Sequence, residues 1–550
     1  MKQNHWHILV TGILLVFAAM GWDGIRWDLT SDRRYTLSET TLKILTKPDK
    51  KLLVTVYLEG DFPAYFKKLK DETHSLLEQF QSRNKNIEFE FVNPNKEGEK
   101  FVETLIRDGF QPAEISVQKG NELAQIRIFP WAQIKYDDKI EKVPLLVSVA
   151  GAGIEEQINQ SIENLEYAFA YAVNKVTRKH KPKIAILKGN GEWDDIFIAD
   201  FLWTLRDFYR LAPFTLDSLE TAPEKTLEQL REYDLAVIAG PTEKFTRRDK
   251  FALDQFLMNG GRILMMFDPV KAHKDTLFYH YKTYALNAEL DTEDWLFFYG
   301  VRAKPVLVKD MIAAPVVLQV GELQGNPQLM EFPWVYAPLI KPSNAHPVGK
   351  NTGQIKLDFA SVLDTLKNPL RKTVLLKSSP YTDLVGVPAE INFEDIARKP
   401  DPETFDKGPQ IIGVLVEGLF KSAFEGRVKP FETNFKNQAE TKMIIIADGD
   451  IVKNDTKEGQ PLPLGMDKWS GLQYDNKNFL LNAVHYLADK EGLFLLKNKT
   501  VRMSLIDKNK AVTESSFWRW FNLLLPTALS MLFFSVMMFR RKRKYGKKHV

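Results

Sequence analysis

Lys183–Gly189 reads KIAILKG, a short apolar run closed by a glycine, of the kind found in strands buried on both faces of a sheet. Working outward, the same signature returns as DLAVIAG from Asp234, RILMMFD from Arg262, QIIGVLV from Gln410 and KMIIIAD from Lys442. Helical segments separate the first three at βαβ spacing, which predicts an α/β unit built on a doubly wound parallel sheet over residues 181–497. The helix over Arg247–Asn259 carries its own punctuation: Thr246 and Asp249 form a capping box, Phe256 and Leu257 face inward, and Gly260 stands at the C-cap. Asn478–Ala488 (NFLLNAVHYLA) predicts an amphipathic helix that closes the unit. Residues from about 300 to 409 are rich in proline with mixed β signal, and read as an insertion or an elaborated layer on the sheet.

Upstream, residues 30–180 predict a smaller α/β domain. Thr36 and Glu39 fit a capping box that opens a short helix stopped by Pro48. Lys51–Leu58 reads as a strand, Phe62–Arg83 as a helix, Ile87–Val92 as a strand and Glu99–Asp108 as a helix. Ile115–Gln118 and Gln125–Phe129 are candidate strands, and Trp131–Leu146 carries more β signal around a turn at Asp137 and Asp138. The closing helix sets Ile154, Ile158, Ile162, Leu165, Phe169, Val173 and Val176 on one stripe. This order resembles a thioredoxin fold, but thioredoxin chemistry needs a C-x-x-C pair and the chain has no cysteine.

Both ends carry hydrophobic segments. Trp520–Phe539 is uncharged, and twenty helical residues at about 1.5 Å each span about 30 Å of hydrocarbon. The basic tail 540–550 (RRKRKYGKKHV) places its own side in the cytoplasm, with residues 498–516 as the linker and 517–539 as the crossing. Within residues 1–29, Ile8–Trp22 is a shorter apolar stretch, either an uncleaved anchor or the core of a signal peptide; the anchor is favoured by Trp22 and Trp27 at its border. Either choice puts the body outside the cytoplasm, in the periplasm of an inner-membrane protein. The anchor reading makes it two-pass with both termini cytoplasmic. The formal charge of the chain is +4, and the tail holds seven basic groups, so residues 1–539 sum to about −3. A body without cationic excess excludes a nucleic-acid partner, and the absence of cysteine excludes disulfides and thiolate metal sites.

In open α/β sheets ligands bind at the carboxyl ends of strands, so Gly189, Asn190, Glu192, Asp268, Asp448 and Asp450 form a candidate strand-end crevice. Asp448-Gly449-Asp450 can bind a hard cation through oxygen, but it also reads as an ordinary turn, as does GNGE. No phosphate-binding loop, zinc motif or serine-nucleophile motif occurs, so neither a cofactor nor catalysis is expected. His485, on the closing helix, reads as a satisfied core residue. Arg33, Arg34, Tyr35, Thr36, Leu37 and Ser38 set two cations and an aromatic beside the first anchor; they read equally as a helix cap with interface anchoring and as a partner-docking segment.

Over essentially its full length the chain resembles the GldG family, auxiliary subunits of an ABC transporter system associated with gliding motility. The resemblance rests on RWDLTSDRRYTLSETT after the first anchor, similar to the family's R-x-D-L-T-x-D-x-R-Y-T-L-S signature, on NGGRILMMFDP, on IIIADGDIV, and on NKNFLLNAVHYL. It implies a cytoplasmic ATPase (GldA) and a multispanning permease-like subunit (GldF) as partners. It also implies that the larger unit is glutamine-amidotransferase-like, a fold whose enzymes use a cysteine nucleophile that this chain lacks. The expectation is a non-catalytic periplasmic subunit, the alternative a ligand-binding module for a glycan, peptide or small molecule.

Overall fold

The computed structural model describes residues 36–119, 122–147, 153–178, 180–323, 326–393, 396, 400–498 and 513–545. The first lobe runs α1 (Glu39–Leu45), β1 (Leu52–Val56), α2 (Ala64–Arg83), β2 (Ile87–Phe91), α3 (Glu99–Arg107), β3 (Ala113–Lys119), β4 (Glu122–Ile128), β5 (Trp131–Tyr136), β6 (Lys139–Pro144) and α4 (Ile154–Thr177). Four strands form one sheet in the order β2-β1-β5-β6, with β1 parallel to β2 and antiparallel to β5, while β3 and β4 make a separate hairpin. Leu52, Val54 and Val56 alternate inward on β1, and α2 packs against α4 through an edge contact of Phe80 with Phe169.

The second lobe continues with β7 (Lys183–Lys188), α5 (Ala199–Arg206), β8 (Arg210–Thr215), α6 (Pro223–Leu230), β9 (Leu235–Ala239), α7 (Arg247–Met258) and β10 (Arg262–Met266). An elaborated layer follows: β11 (Val270–Lys271), α8 (Lys274–His280), β12 (Lys282–Asn287), α9 (Glu293–Phe298), β13 (Val301–Asp310), β14 (Ala313–Leu323), β15 (Asn326–Ile340), β16 (Ile355–Lys356), β17 (Ser361–Thr365), β18 (Arg371–Lys377), β19 (Thr382–Gly386) and β20 (Ala389–Asn392). The lobe closes with β21 (Ile411–Lys421), β22 (Gln438–Ile446) and α10 (Asn476–Ala488).

Seven strands form the main sheet in the order β18-β21-β22-β10-β9-β7-β8. Its parallel part is β22, β10, β9, β7 and β8; QIIGVLV (β21) runs antiparallel to β22, against the expectation that all five runs are parallel. The reason is connectivity: β21 returns to β22 through residues 422–437, which hold no crossover helix, and only antiparallel neighbours can be joined that way. RLAPFT (β8) is a strand that the apolar pattern does not announce, because an edge strand is half exposed and accommodates Pro213. The layer on the sheet starts at Val270, ahead of the expected residue 300, and contributes β18 to the main sheet while its other strands build three small ones.

Every residue of β9 is buried, and Ile263–Met266 of β10 are also buried. The capping box of α7 is present with both halves formed between Thr246 and Asp249, and α7 packs against β22 and β10 while α10 packs against the same two strands. Residues 36–498 form one compact unit. In a second unit, α11 (Ser515–Tyr545) contains Pro526 and is, among the described residues, the one helix long and apolar enough to cross a membrane. The expectation of two flanking transmembrane helices therefore has support at one end only; Ile8–Trp22 lies outside the described residues.

Candidate functional site

The register of the parallel strands sets Ala239, Met266 and Ile446 level, so the loops that follow converge. They open a cleft of about 1180 Å³, open solvent included. The sheet supplies Trp193, Gly240, Asp268, Asp450 and Lys453, and the covering layer supplies Lys271, Lys274, Lys356 and Asp358. The loop before α10 adds Asp467, Lys468 and Trp469.

Of the six expected crevice residues, Asp268 and Asp450 line this cleft. Asp448 is fully buried and accepts hydrogen bonds from the backbone N–H of Ile451 (2.7 Å) and of Asp358 (3.0 Å), so it joins the strand end to the covering layer. Gly189, Asn190 and Glu192 close the turn beside the cleft. The Asn190 N–H donates to Glu192 Oε2 (2.8 Å), and the Asn190 carbonyl accepts from Thr242 and Glu243, which ties the end of β7 to that of β9.

Trp193 comes next, and the sequence reading missed it. Its Nε1 donates to the Gly449 carbonyl (3.0 Å), and its ring crosses Gly240, where an added Cβ would sit 2.2 Å from that nitrogen. Gly240 also has φ +63°, so glycine is required twice over. Asp268 accepts from the Gly449 N–H at 2.8 Å.

All three strand-end acids have their pKa raised above the ordinary carboxylate range. Burial, then repulsion from Asp450, pushes the Asp268 carboxyl up to about 8; burial raises Asp450 to about 6 despite Lys453; burial and the charges of Asp268 and Asp450 raise Asp448. Asp450 Oδ1 is closed off from solvent without a hydrogen bond, its nearest cation being Lys453 Nζ at 3.7 Å. Across the cleft the reverse holds. Burial opposes ionisation of Asp358, but Lys274 and Lys356, each at 3.4 Å, keep it below the ordinary range. Burial likewise opposes protonation of Lys356, yet Asp358 and Asp467 (2.7 Å) hold it charged and Asp467 falls well below the usual carboxylate range. The cleft wall is thus built of paired charges, and among the described residues no group of acids and histidines is arranged to hold a metal.

At the start of the body, Arg33, Arg34 and Tyr35 lie outside the described residues. Ser38, not Thr36, caps α1, accepting from Thr41 N. The acid that a capping box would supply from within the helix comes from α4: Glu166 Oε1 accepts from Ser38 N (2.8 Å) and Thr41 Oγ1 (2.7 Å). The next residue, Tyr167, receives the other end of the body. Lys497 Nζ lies 5.3 Å from its ring centroid and donates to Asn482 Oδ1 (2.8 Å), and Phe494 meets that ring edge-on at 5.6 Å. His485 beside them bonds to the Tyr209 hydroxyl (2.6 Å) and is held neutral by burial, its pKa down to about 3, as a core histidine should be.

Residues 181–483 match the family described as "ABC-type uncharacterized transport system", and residues 31–135 match a domain of unknown function, DUF7088. An uncharacterized protein of Borreliella burgdorferi (strain ATCC 35210 / DSM 4680 / CIP 102532 / B31) is 21% identical over 556 residues, covering 97% of each chain. The solved mmIFT52 N-terminal domain aligns over 56% of this chain and 96% of its own, at 14% identity and a TM-score of 0.32, too slight a likeness to carry an argument. With more than half of its length inside that match, the chain belongs to the ABC-type uncharacterized transport system family.

Proposed function

We propose that the chain is a non-catalytic, doubly anchored subunit of an ABC-transporter-like complex, with its body in the periplasm and both termini in the cytoplasm. The observation that carries this reading is the meeting of the two ends of the body. Ser38 and Lys497, the points from which the chain leads toward its terminal hydrophobic segments, dock on consecutive residues of α4, Glu166 and Tyr167. A body rooted at one place is suited to following or reporting the movement of a membrane partner. On the GldG-like reading those partners are a permease-like subunit (GldF) and a cytoplasmic ATPase (GldA), serving gliding motility, and the Arg33–Ser38 segment contributes to their docking. The strand order of the first lobe fits a thioredoxin-like domain over 30–180, and the parallel sheet fits an amidotransferase-like one over 181–497; neither has a cysteine for the chemistry of those folds. Gentle extraction of native membranes and affinity capture of the full chain tests the proposal. Recovery with a multispanning protein and an ATPase is expected, and recovery as a lone monomer in several mild detergents contradicts it.

The cleft supports a second role, as a module that binds a glycan, peptide or small molecule, because it stands at the carboxyl edge of the parallel strands and draws lining residues from three separated segments.

A further inference from the structure

The cleft is lined by five lysines (Lys271, Lys274, Lys356, Lys453, Lys468) and five aspartates (Asp268, Asp358, Asp450, Asp455, Asp467). Each aspartate is already engaged or turned away from solvent. Asp358 lies 3.4 Å from both Lys274 and Lys356, and Asp467 accepts from Lys356 at 2.7 Å and from the N–H groups of Trp469 and Ser470. Asp455 accepts from the Lys468 N–H at 3.0 Å. Asp450 has its Oδ1 shut from solvent, with Lys453 3.7 Å away. Asp268 accepts from the Gly449 N–H and, with burial pushing its carboxyl up to about 8, adds no charge at neutral pH. The lysines differ. Among the described residues no carboxylate forms an ion pair with Lys271 or Lys468, and both are exposed. Lys453 and Lys468 stand over indole faces, their Nζ atoms 4.2 Å from the Trp193 centroid and 5.2 Å from that of Trp469, contacts that hold an ammonium in place without neutralising it. The lining therefore sets five ammonium groups against at most four carboxylates at neutral pH, and the uncommitted charge is cationic. A cation would have to take an aspartate from the lysine or backbone donor that holds it, at a cost that rises with burial. An anion displaces only water from Lys271 and Lys468 and gains charge-assisted hydrogen bonds, about twice as strong as those a neutral ligand could make.

We propose that this cleft binds a small anionic ligand through carboxylate or phosphate oxygens, received by Lys271 and Lys468. The proposal rests on the cleft being a ligand site, the second role given above. The experiment uses the full chain in nanodiscs of lipid without net charge, at low ionic strength, where charge-assisted binding is least screened. Melting temperature and titration calorimetry are followed with succinate as the carboxylate probe, inorganic phosphate and glucose 6-phosphate as the phosphate probes, and trehalose and putrescine as neutral and cationic controls. Saturable binding of at least one anion is expected, weakened about tenfold by Lys271→Ala and by Lys468→Ala and retained by Lys271→Arg, with no saturable binding of either control. Which anion binds separates a carboxylate from a phosphate ligand. The ligand-free melting temperatures of the variants should match the wild type, because both lysines are exposed and hold no ion pair, and this separates lost binding from lost folding. Saturable binding of trehalose or putrescine without any anion overturns the ligand class and leaves the cleft a ligand site. Anion binding indifferent to both alanine variants overturns the location and assigns the effect to other cations, the basic tail 540–550 foremost. No saturable response to any probe overturns the proposal and the ligand-site reading together.

Discussion

Asp268, Asp448 and Asp450 bring three carboxylates to two neighbouring strand ends, and repulsion between them adds to the effect of burial. Asp268 keeps its proton up to about 8 in the folded chain, against an ordinary value of 3.8, so the folded state binds more protons than the unfolded one between those values. Its contribution to stability is therefore full below the lower value and is lost as pH rises through the upper. Asp268→Asn, which still accepts from the Gly449 N–H, should gain on the wild type by up to about 1.4 kcal/mol per pH unit across that window. Urea unfolding at pH 5 and pH 9 checks it: the variant's lead over the wild type should be clearly larger at the higher pH, and an equal difference at both would refute the linkage. Gly240→Ala tests the Trp193 seat. Positive φ and the clash with the indole together should remove at least about 2 kcal/mol and shift the tryptophan emission, read by fluorescence-detected melting. Asp268 and Asp450 were legible as cleft residues because a strand-end rule locates them. Lys356 and Asp467 were not, since they arrive from segments whose placement no periodicity records.

At the scale of elements, α1 has seven residues and too few intrahelical bonds to stand alone, so its order depends on Glu166. Glu166→Ala leaves the Ser38 N–H and the Thr41 hydroxyl without their acceptor, a loss of about 1–3 kcal/mol. Hydrogen exchange should accelerate across residues 38–45 while the main sheet stays protected, and unchanged protection of α1 would show that its docking does not depend on that acid. Glu166→Gln, which retains an acceptor, should restore most of the protection. The apolar runs announced β7, β9, β10 and β22 because a strand buried on both faces has no polar side to disguise it. The direction of β21 was hidden, because residue pattern records burial and not chain direction. The strands of the covering layer blurred for a different reason: β15 carries prolines at 327, 333 and 338 within one long strand, a composition that reads as turns.

For the whole molecule, the family match, the apolar α11 and the basic tail agree on membrane association, and the convergence of both ends on α4 gives the body a single root. That α11 is long and apolar enough to cross a membrane was legible from length and composition alone, because hydrocarbon thickness imposes a count that the sequence itself supplies. What the root holds in place is the claim to test: a body outside the cytoplasm carried on two anchors. The chain has no cysteine, so single-cysteine variants report position without background. Asn4→Cys, Ser218→Cys and Lys547→Cys should be treated with a membrane-impermeant maleimide in cells whose outer envelope is open and whose cytoplasmic membrane is intact. The account predicts labelling at position 218 immediately and at positions 4 and 547 only after the membrane is permeabilised; protection of position 218, or loss of position 4 from the mature chain, would contradict it.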